Sequence, residues 1–362
     1  MPSSAFASIP TIDLSKAHSA STKPQLLSNL RHALLSIGFL YISNHNIPPQ
    51  TIDDLIDALP PLFNLPSPAK DEVALSNSPH FLGYSGTGAE TTAGTIDQRE
   101  QFEFATQLPD DWTPEKPLAE RLKGPNQWPP AYPELNSIVE RYIEALTQLS
   151  ETFLELVAEA LGLPPTIFLS FLSDQHRLKL VHYPASAPQT SGGQGVGPHK
   201  DSSGWWTFLL QASDPSIKGL QVLNKSGNWI DIPNIPGTLV VNIGQGFEVV
   251  TNGICKATTH RVLSGPHERF SVPFFQGMRR NLTKEEAVGT LREHFCDGEF
   301  EREGTDGEVG GESEEGRHID SAFLRGKYDT WGETQLRTKI RSHRDVGRKF
   351  YADVFDKYVN DD

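Results

Sequence analysis

Between Arg177 and Met278 the chain reads RLKLVHY (177–183), WTFLLQA (206–212), LQVL (220–223), NWIDI (228–232), TLVVNI (238–243), FEVV (247–250), HRVL (260–263) and RFSVPFF (269–275), separated by turn residues. Eight short runs of branched and aromatic residues, with no helix-length segments between them, predict an antiparallel barrel or sandwich rather than βαβ units.

Outside this stretch the pattern is largely helical. Ile9–Leu14 reads as a short extended segment that Pro10 keeps at a sheet edge. Leu26, Leu27, Leu30, Ala33 and Leu34 recur at helical spacing over 24–36, Gly38 stops the helix, and 39–43 follows as a strand. A second helix is expected over 50–58, broken at Pro60-Pro61. The stretch 79–97 reads as a Gly/Thr-rich loop, and a long helix covers 136–161 up to Gly162. A single C-terminal helix is expected over 334–355. Three regions result: 1–170, helix-rich with edge strands; 171–285, the β core; and 286–362, an acidic insertion and the C-terminal helix.

Composition narrows the function classes. The 362 residues carry a net charge of −14, but residues 297–316 hold nine acids, one Arg and six Gly, which leaves −6 for the rest. That segment reads as a disordered insertion. No strong basic footprint exists to neutralise phosphates, so nucleic acid is not an expected partner. The +5 excess over 325–349 reads as a solvated helical face. No apolar window approaches membrane-spanning length, and no secretory signal is visible at the N-terminus. Cys255 and Cys296, the only cysteines, are too few for a disulfide framework, so a cytoplasmic location is expected.

Three His-x-Asp pairs occur: His199/Asp201, His318/Asp320 and His343/Asp345. The second follows the acidic insertion, and the third lies in a helical pattern where positions i and i+2 diverge. His199 and Asp201 instead stand where a glycine-rich loop meets a strand. In extended backbone they share one face and can converge on one ion. His260, opening a later strand, supplies a third ligand. Two His and one carboxylate with open octahedral positions suit non-haem Fe(II) that activates O2, whereas zinc usually takes a tetrahedral set. Arg269 and Ser271, again at i and i+2, present a guanidinium fork and a hydroxyl suited to a distal carboxylate. Arg261 should face the opposite way.

Together, these residues resemble the isopenicillin-N-synthase-like branch of the Fe(II)/2-oxoglutarate-dependent dioxygenases of fungi and plants. The family motif His-x-Asp, His, Arg-x-Ser stands here as His199, Asp201, His260, Arg269 and Ser271. Similarity extends to Gly38–His45, Tyr183-Pro184, Asn242-Ile243-Gly244 and Thr251-Asn252-Gly253. The resemblance implies an α+β fold with a double-stranded β-helix (jelly-roll) core between N- and C-terminal helices. It implies Fe(II), 2-oxoglutarate as cosubstrate and O2, with release of succinate and CO2. Arg269 and Ser271 would hold the 5-carboxylate of the cosubstrate, and Tyr183 would orient it.

On the substrate side, Phe102, Phe104, Trp205 and Phe275 are candidates for lining the pocket, and Arg99 for an anion contact or a structural ion pair. The C-terminal helix is expected to cap the barrel mouth or to form a dimer contact. The expected activity is oxidation of a small organic metabolite, chiefly hydroxylation, in secondary metabolism. The alternatives are an iron oxidase that does not use 2-oxoglutarate, a non-catalytic jelly-roll binder and, more remotely, a hydrolytic zinc site.

Overall fold

The runs read along 177–275 are realised mostly as strands whose odd and even residues face different layers. The computed structural model describes residues 6–92, 95–186, 193–202, 204–296 and 321–360, so the acidic stretch 297–316 and the pair His318/Asp320 lie outside the described residues. In chain order the strands are β1 (Thr11–Asp13), β2 (Phe39–Ser43), β3 (Gly83–Ser85), β4 (Thr91–Thr92), β5 (Thr95–Ile96), β6 (Glu100–Ala105), β7 (Arg177–Tyr183), β8 (Gln194–His199), β9 (Trp206–Gln211), β10 (Leu220–Leu223), β11 (Trp229–Asp231), β12 (Thr238–Ile243), β13 (His260–Leu263) and β14 (Arg269–Gln276). A major sheet runs β1-β2-β12-β9-β14-β7-β6-β3 and a minor sheet β11-β10-β13-β8, while β4 and β5 form a small hairpin. Except for the parallel β1–β2 pair, the pairings in both sheets are antiparallel. This is the expected jelly roll, and β1, β2, β3 and β6 show that the N-terminal region completes its larger sheet.

One face of the major sheet carries Leu40, Ile42, Phe104, Leu178, Leu180, Phe208, Val241 and Phe274, which pack against the helices Lys23–Ser36, Pro49–Phe63 and Leu135–Ala160. The other face looks toward the minor sheet. There Phe39, Tyr41, Val181, Tyr183 and Val240 meet Val196, Leu220, Val222 and Val262. Two-sided burial explains why these strands read as near-continuous apolar runs rather than as clean alternation.

Three expectations are corrected. The run FEVV belongs to the helix Gln245–Val250, buried from Gly246 to Val250; a short apolar run has no period that separates a strand from a buried helix. The helix Pro49–Phe63 passes through Pro60 and Pro61, because Leu59, Leu62 and Phe63 bury in the core and Asn64 N–H still donates to the Pro60 carbonyl at 3.0 Å. The C-terminal helix is three pieces, Trp331–Ser342, Arg344–Phe350 and Ala352–Asn360. The breaks at His343 and Tyr351 fold Ile340, Val346, Phe355 and Tyr358 into one cluster with Leu75, Phe81 and Leu122, which a straight helix cannot reach.

Gly38 sets the approach of β2 to the loop before β13. It has φ +74°, and a Cβ there would stand 2.4 Å from both the Lys256 carbonyl oxygen and Thr258 Oγ1. Gly38→Ala should therefore cost on the order of 2–4 kcal/mol, read from urea unfolding. At the other end, His176 Nδ1 accepts the Gly277 N–H at 3.1 Å and ties the start of β7 to the end of β14. Burial pushes this imidazole from its ordinary 6.5 down to about 4, against a weaker opposing pull from Asp174. The unfolded chain takes up this proton first, so the contribution is lost as pH falls from 6.5 toward 4. His176→Asn should remove roughly 2 kcal/mol of the stability difference between pH 7 and pH 5.

Candidate active site

His199 ends β8 and His260 opens β13, and the two are register partners across the minor sheet. Asp201 lies just past β8. The nearest ligand atoms of the three lie within 4.8 Å of one another, the one such group of three among the described residues. Asp201 Oδ1 is 3.5 Å from His199 Nε2 and 3.6 Å from His260 Nε2. The other ring nitrogens face backbone: His199 Nδ1 donates to the Gly197 carbonyl (2.8 Å) and His260 Nδ1 to the Thr258 carbonyl (3.2 Å). Both Nε2 lone pairs thus face the common point, the tautomer a metal requires.

The second carboxylate oxygen is held from the major sheet. Asp201 Oδ2 accepts from the Thr207 hydroxyl (2.6 Å) on β9 and from Asn242 Nδ2 (2.8 Å) on β12. Burial opposes ionisation of Asp201, but His260, His199 and the Thr207 hydroxyl hold its carboxyl well below the usual carboxylate range. Burial, reinforced by His199, pushes His260 down to about 4, so its ring is neutral at physiological pH. A buried carboxylate facing two imidazole Nε2 atoms is a donor set that fits a divalent cation.

A cavity of about 200 Å3 opens from this point between the sheets, lined by the triad, Tyr183, Arg269, Ser271 and Phe275 among others. Arg269 is 3% exposed; Nη2 donates to Gln211 Oε1 at 3.2 Å, while Nη1 has no hydrogen-bond partner among the described residues. Its guanidinium stands 5.2 Å from the centre of the Tyr183 ring, its register partner. A buried guanidinium edge left open beside a serine hydroxyl fits the carboxylate of a 2-oxo acid. Arg261 faces outward as expected, over the Trp229 ring at 4.0 Å.

Three of the four aromatic candidates lie elsewhere. On β6 the inward positions are Gln101 and Glu103, so Phe102 and Phe104 fall on the helix side, where both are fully buried in the core. Trp205 stacks on Phe171 at 5.4 Å and packs edge-on against Phe168 and Phe247, away from the cavity. Phe275 alone of the four lines the cavity. Arg99 takes the structural of its two expected roles, pairing with Glu90 (2.5 Å) and Asp97 (3.4 Å), and it also lines the cavity.

Sequence reasoning missed Glu103, Arg177, Lys179 and Lys339, which form the cavity's charged wall. Their signal was the alternation itself, since Arg177 and Lys179 share the face of Tyr183 in RLKLVHY. Lys339 reaches the wall from the helix Trp331–Ser342, whose Gln335 Nε2 also donates to the Ser202 carbonyl at 2.8 Å. That helix caps the mouth of the barrel. His343, of the third His-x-Asp pair, lies buried with Nε2 3.4 Å from Glu90, remote in role from Asp345.

A jelly roll with two imidazoles and one carboxylate converging at its open end defines the class of mononuclear non-haem metal oxygenases. Residues 9–131 match the family model described as the N-terminal region of the non-haem dioxygenase in morphine synthesis, and residues 175–277 match the 2OG-Fe(II) oxygenase superfamily. The chain is 42% identical to the 2-oxoglutarate-dependent dioxygenase frbJ of Dothideomycetidae sp. (strain 11243), over 95% of this chain and 92% of that one. Among solved structures, a full-length Neurospora crassa protein in complex with alpha-KG and thymine is similar at TM-score 0.65 and 26% identity, covering 76% of this chain and 87% of that one. JOX2 in complex with 2OG, Fe and JA is similar at TM-score 0.61 and 25% identity, covering 78% and 79%. The chain belongs to the 2-oxoglutarate- and Fe(II)-dependent dioxygenase family. It is an oxidoreductase that uses Fe(II), 2-oxoglutarate and O2. No described helix is long and apolar enough to cross a membrane.

Asn242 positions a ligand without touching the ion point. Asn242→Ala should weaken Mn(II) binding about 10- to 100-fold by isothermal titration while leaving the circular dichroism spectrum unchanged.

Proposed function

We propose that His199, Asp201 and His260 hold the Fe(II), that Arg269 and Ser271 bind the distal carboxylate of 2-oxoglutarate, and that Tyr183 orients it. The observation that carries this reading is the convergence of Asp201 Oδ1 with two Nε2 atoms at 3.5 and 3.6 Å. A bound Fe(II) would activate O2, the oxidant, so that decarboxylation of 2-oxoglutarate to succinate and CO2 is coupled to oxidation of the substrate.

The chain's own residues do the positioning. Thr207 and Asn242 occupy one oxygen of Asp201 and leave the other for the metal. The Gly197 and Thr258 carbonyls accept from the two Nδ1 atoms and so turn both Nε2 atoms toward the metal point. Gln211 fixes one nitrogen of Arg269 and leaves the other for a carboxylate oxygen. Val196, Leu209, Leu220 and Val262 dry the cavity between these ends, which strengthens each polar contact and limits side reactions with water. On this reading the outcome is chiefly hydroxylation of a small metabolite of specialised metabolism, carried out in the cytosol.

Anaerobic addition of Fe(II) and 2-oxoglutarate should produce a visible charge-transfer band, and air should then release succinate. His199→Ala should abolish the band. Arg269→Leu should raise the 2-oxoglutarate concentration at half-saturation about 10- to 100-fold with Mn(II) affinity unchanged. Wild-type 2-oxoglutarate affinity in Arg269→Leu would remove that residue from the cosubstrate site.

A further inference from the structure

Cross-strand register orders the inner face of the major sheet into rows. Arg269 pairs with Tyr183 at one end, and Phe275 pairs with both Arg177 and Thr207 at the other. Thr207 binds Asp201, so the row of Arg177 and Phe275 lies level with the metal ligands. Lys179 and its partner Glu103 stand one inward position away. The wall beside the metal ligands and away from Arg269 is therefore built of charge.

The charges on this wall do not balance. Glu103, 1% exposed, is shared by Arg177 (2.6 Å), Lys339 (2.7 Å) and Lys179 (3.7 Å). Glu90 is shared by Arg99 (2.5 Å) and Lys179 (3.6 Å), and Asp97 takes a further contact from Arg99 at 3.4 Å. Four cations thus divide three carboxylates. His343 adds no charge, since burial, reinforced by Lys339, pushes it down to about 4.

The four cations are not equally engaged. Arg177 is saturated, donating to Glu103 and to the carbonyls of His80, Phe81 and Leu122. Lys179, with a side chain 16% exposed, makes only the two ion contacts beyond 3.5 Å and no hydrogen bond among the described residues. An ammonium on a cavity wall that makes ion contacts but no hydrogen bond keeps donors available for an acceptor on a ligand. An apolar substrate would leave it stranded.

Resting on the reading that this cavity holds Fe(II) and 2-oxoglutarate, we propose that the substrate is a small organic acid whose carboxylate is received by Lys179, with Lys339 beside it. Lys339 arrives on the C-terminal helix, so that helix is part of the substrate site. The same carboxylate belongs to amino acids and to simple organic acids. An ammonium on the substrate would find Glu103 Oε2, which has no hydrogen-bond partner among the described residues and only the 3.7 Å ion contact with Lys179.

The test uses the full-length enzyme, anaerobic, with Fe(II) and saturating 2-oxoglutarate. The probes are free L-amino acids and small mono- and dicarboxylic acids, each beside its methyl ester. Perturbation of the charge-transfer band and the melting temperature are the readouts. At least one acid should bind about tenfold or more tightly than its ester, with the band retained. Lys179→Met and Lys339→Met should erase that preference, and Lys179→Arg should restore part of it. Acids lacking an amino group separate the two sources of the carboxylate. With the band present, a panel in which no acid outperforms its ester overturns the substrate assignment alone, as does a preference untouched in both Met variants. Failure of the band itself would sink the metal and cosubstrate reading, and this inference with it.

Discussion

Asp201 is the point at which the two sheets are tied. One carboxylate oxygen is held by Thr207 and Asn242 from the major sheet, and the other faces His199 and His260 from the minor sheet. A carboxylate at this depth is strongly penalised unless its charge is met by hydrogen bonds and a cation. The arrangement exists only when the jelly roll is closed, so the ligand set is assembled by the fold rather than by any local segment.

The major sheet carries two chemistries on its two faces. Even positions of β7 send Leu178 and Leu180 to the helices, while odd positions send Arg177, Lys179, Val181 and Tyr183 into the cavity. Because the strand period is 2, one register serves both purposes, and a slip by one residue would exchange core for site. The same rule sorts Phe102 and Phe104 from Glu103. The register also spaces the polar side chains along the sheet, with Arg269 and Tyr183 at one end and the charged wall at the other.

The segment beyond the matched oxygenase region, which ends at residue 277, closes the site. A capping box, Thr330 with Glu333, starts the helix that carries Gln335 and Lys339. Packing of Ile340, Val346 and Tyr351 around Phe81 holds that helix against the barrel. Burial of apolar side chains at one end of the segment thus sets the position of a charged side chain at the other.

Much of this was legible in the chain alone. Strand grammar over 177–275, the His-x-Asp pair, the distant His260 and the Arg-x-Ser pair depend on local period and residue chemistry, which sequence carries directly. The helices read over 24–36 and 136–161 follow from one-sided apolar stripes. Long-range packing decided the rest. Burial of Leu62 and Phe63 outweighs two prolines, and full burial of FEVV erases the period that would mark it as helix. Which face of β6 looks inward depends on its pairing with β7, so Glu103 displaced the phenylalanines as a lining residue. Lys339, 160 residues from Lys179 in the chain, joins it only because three short helices fold back over the barrel. Residue type and spacing set what chemistry was available; burial and strand register, which are properties of the closed structure, decided which side chains face it.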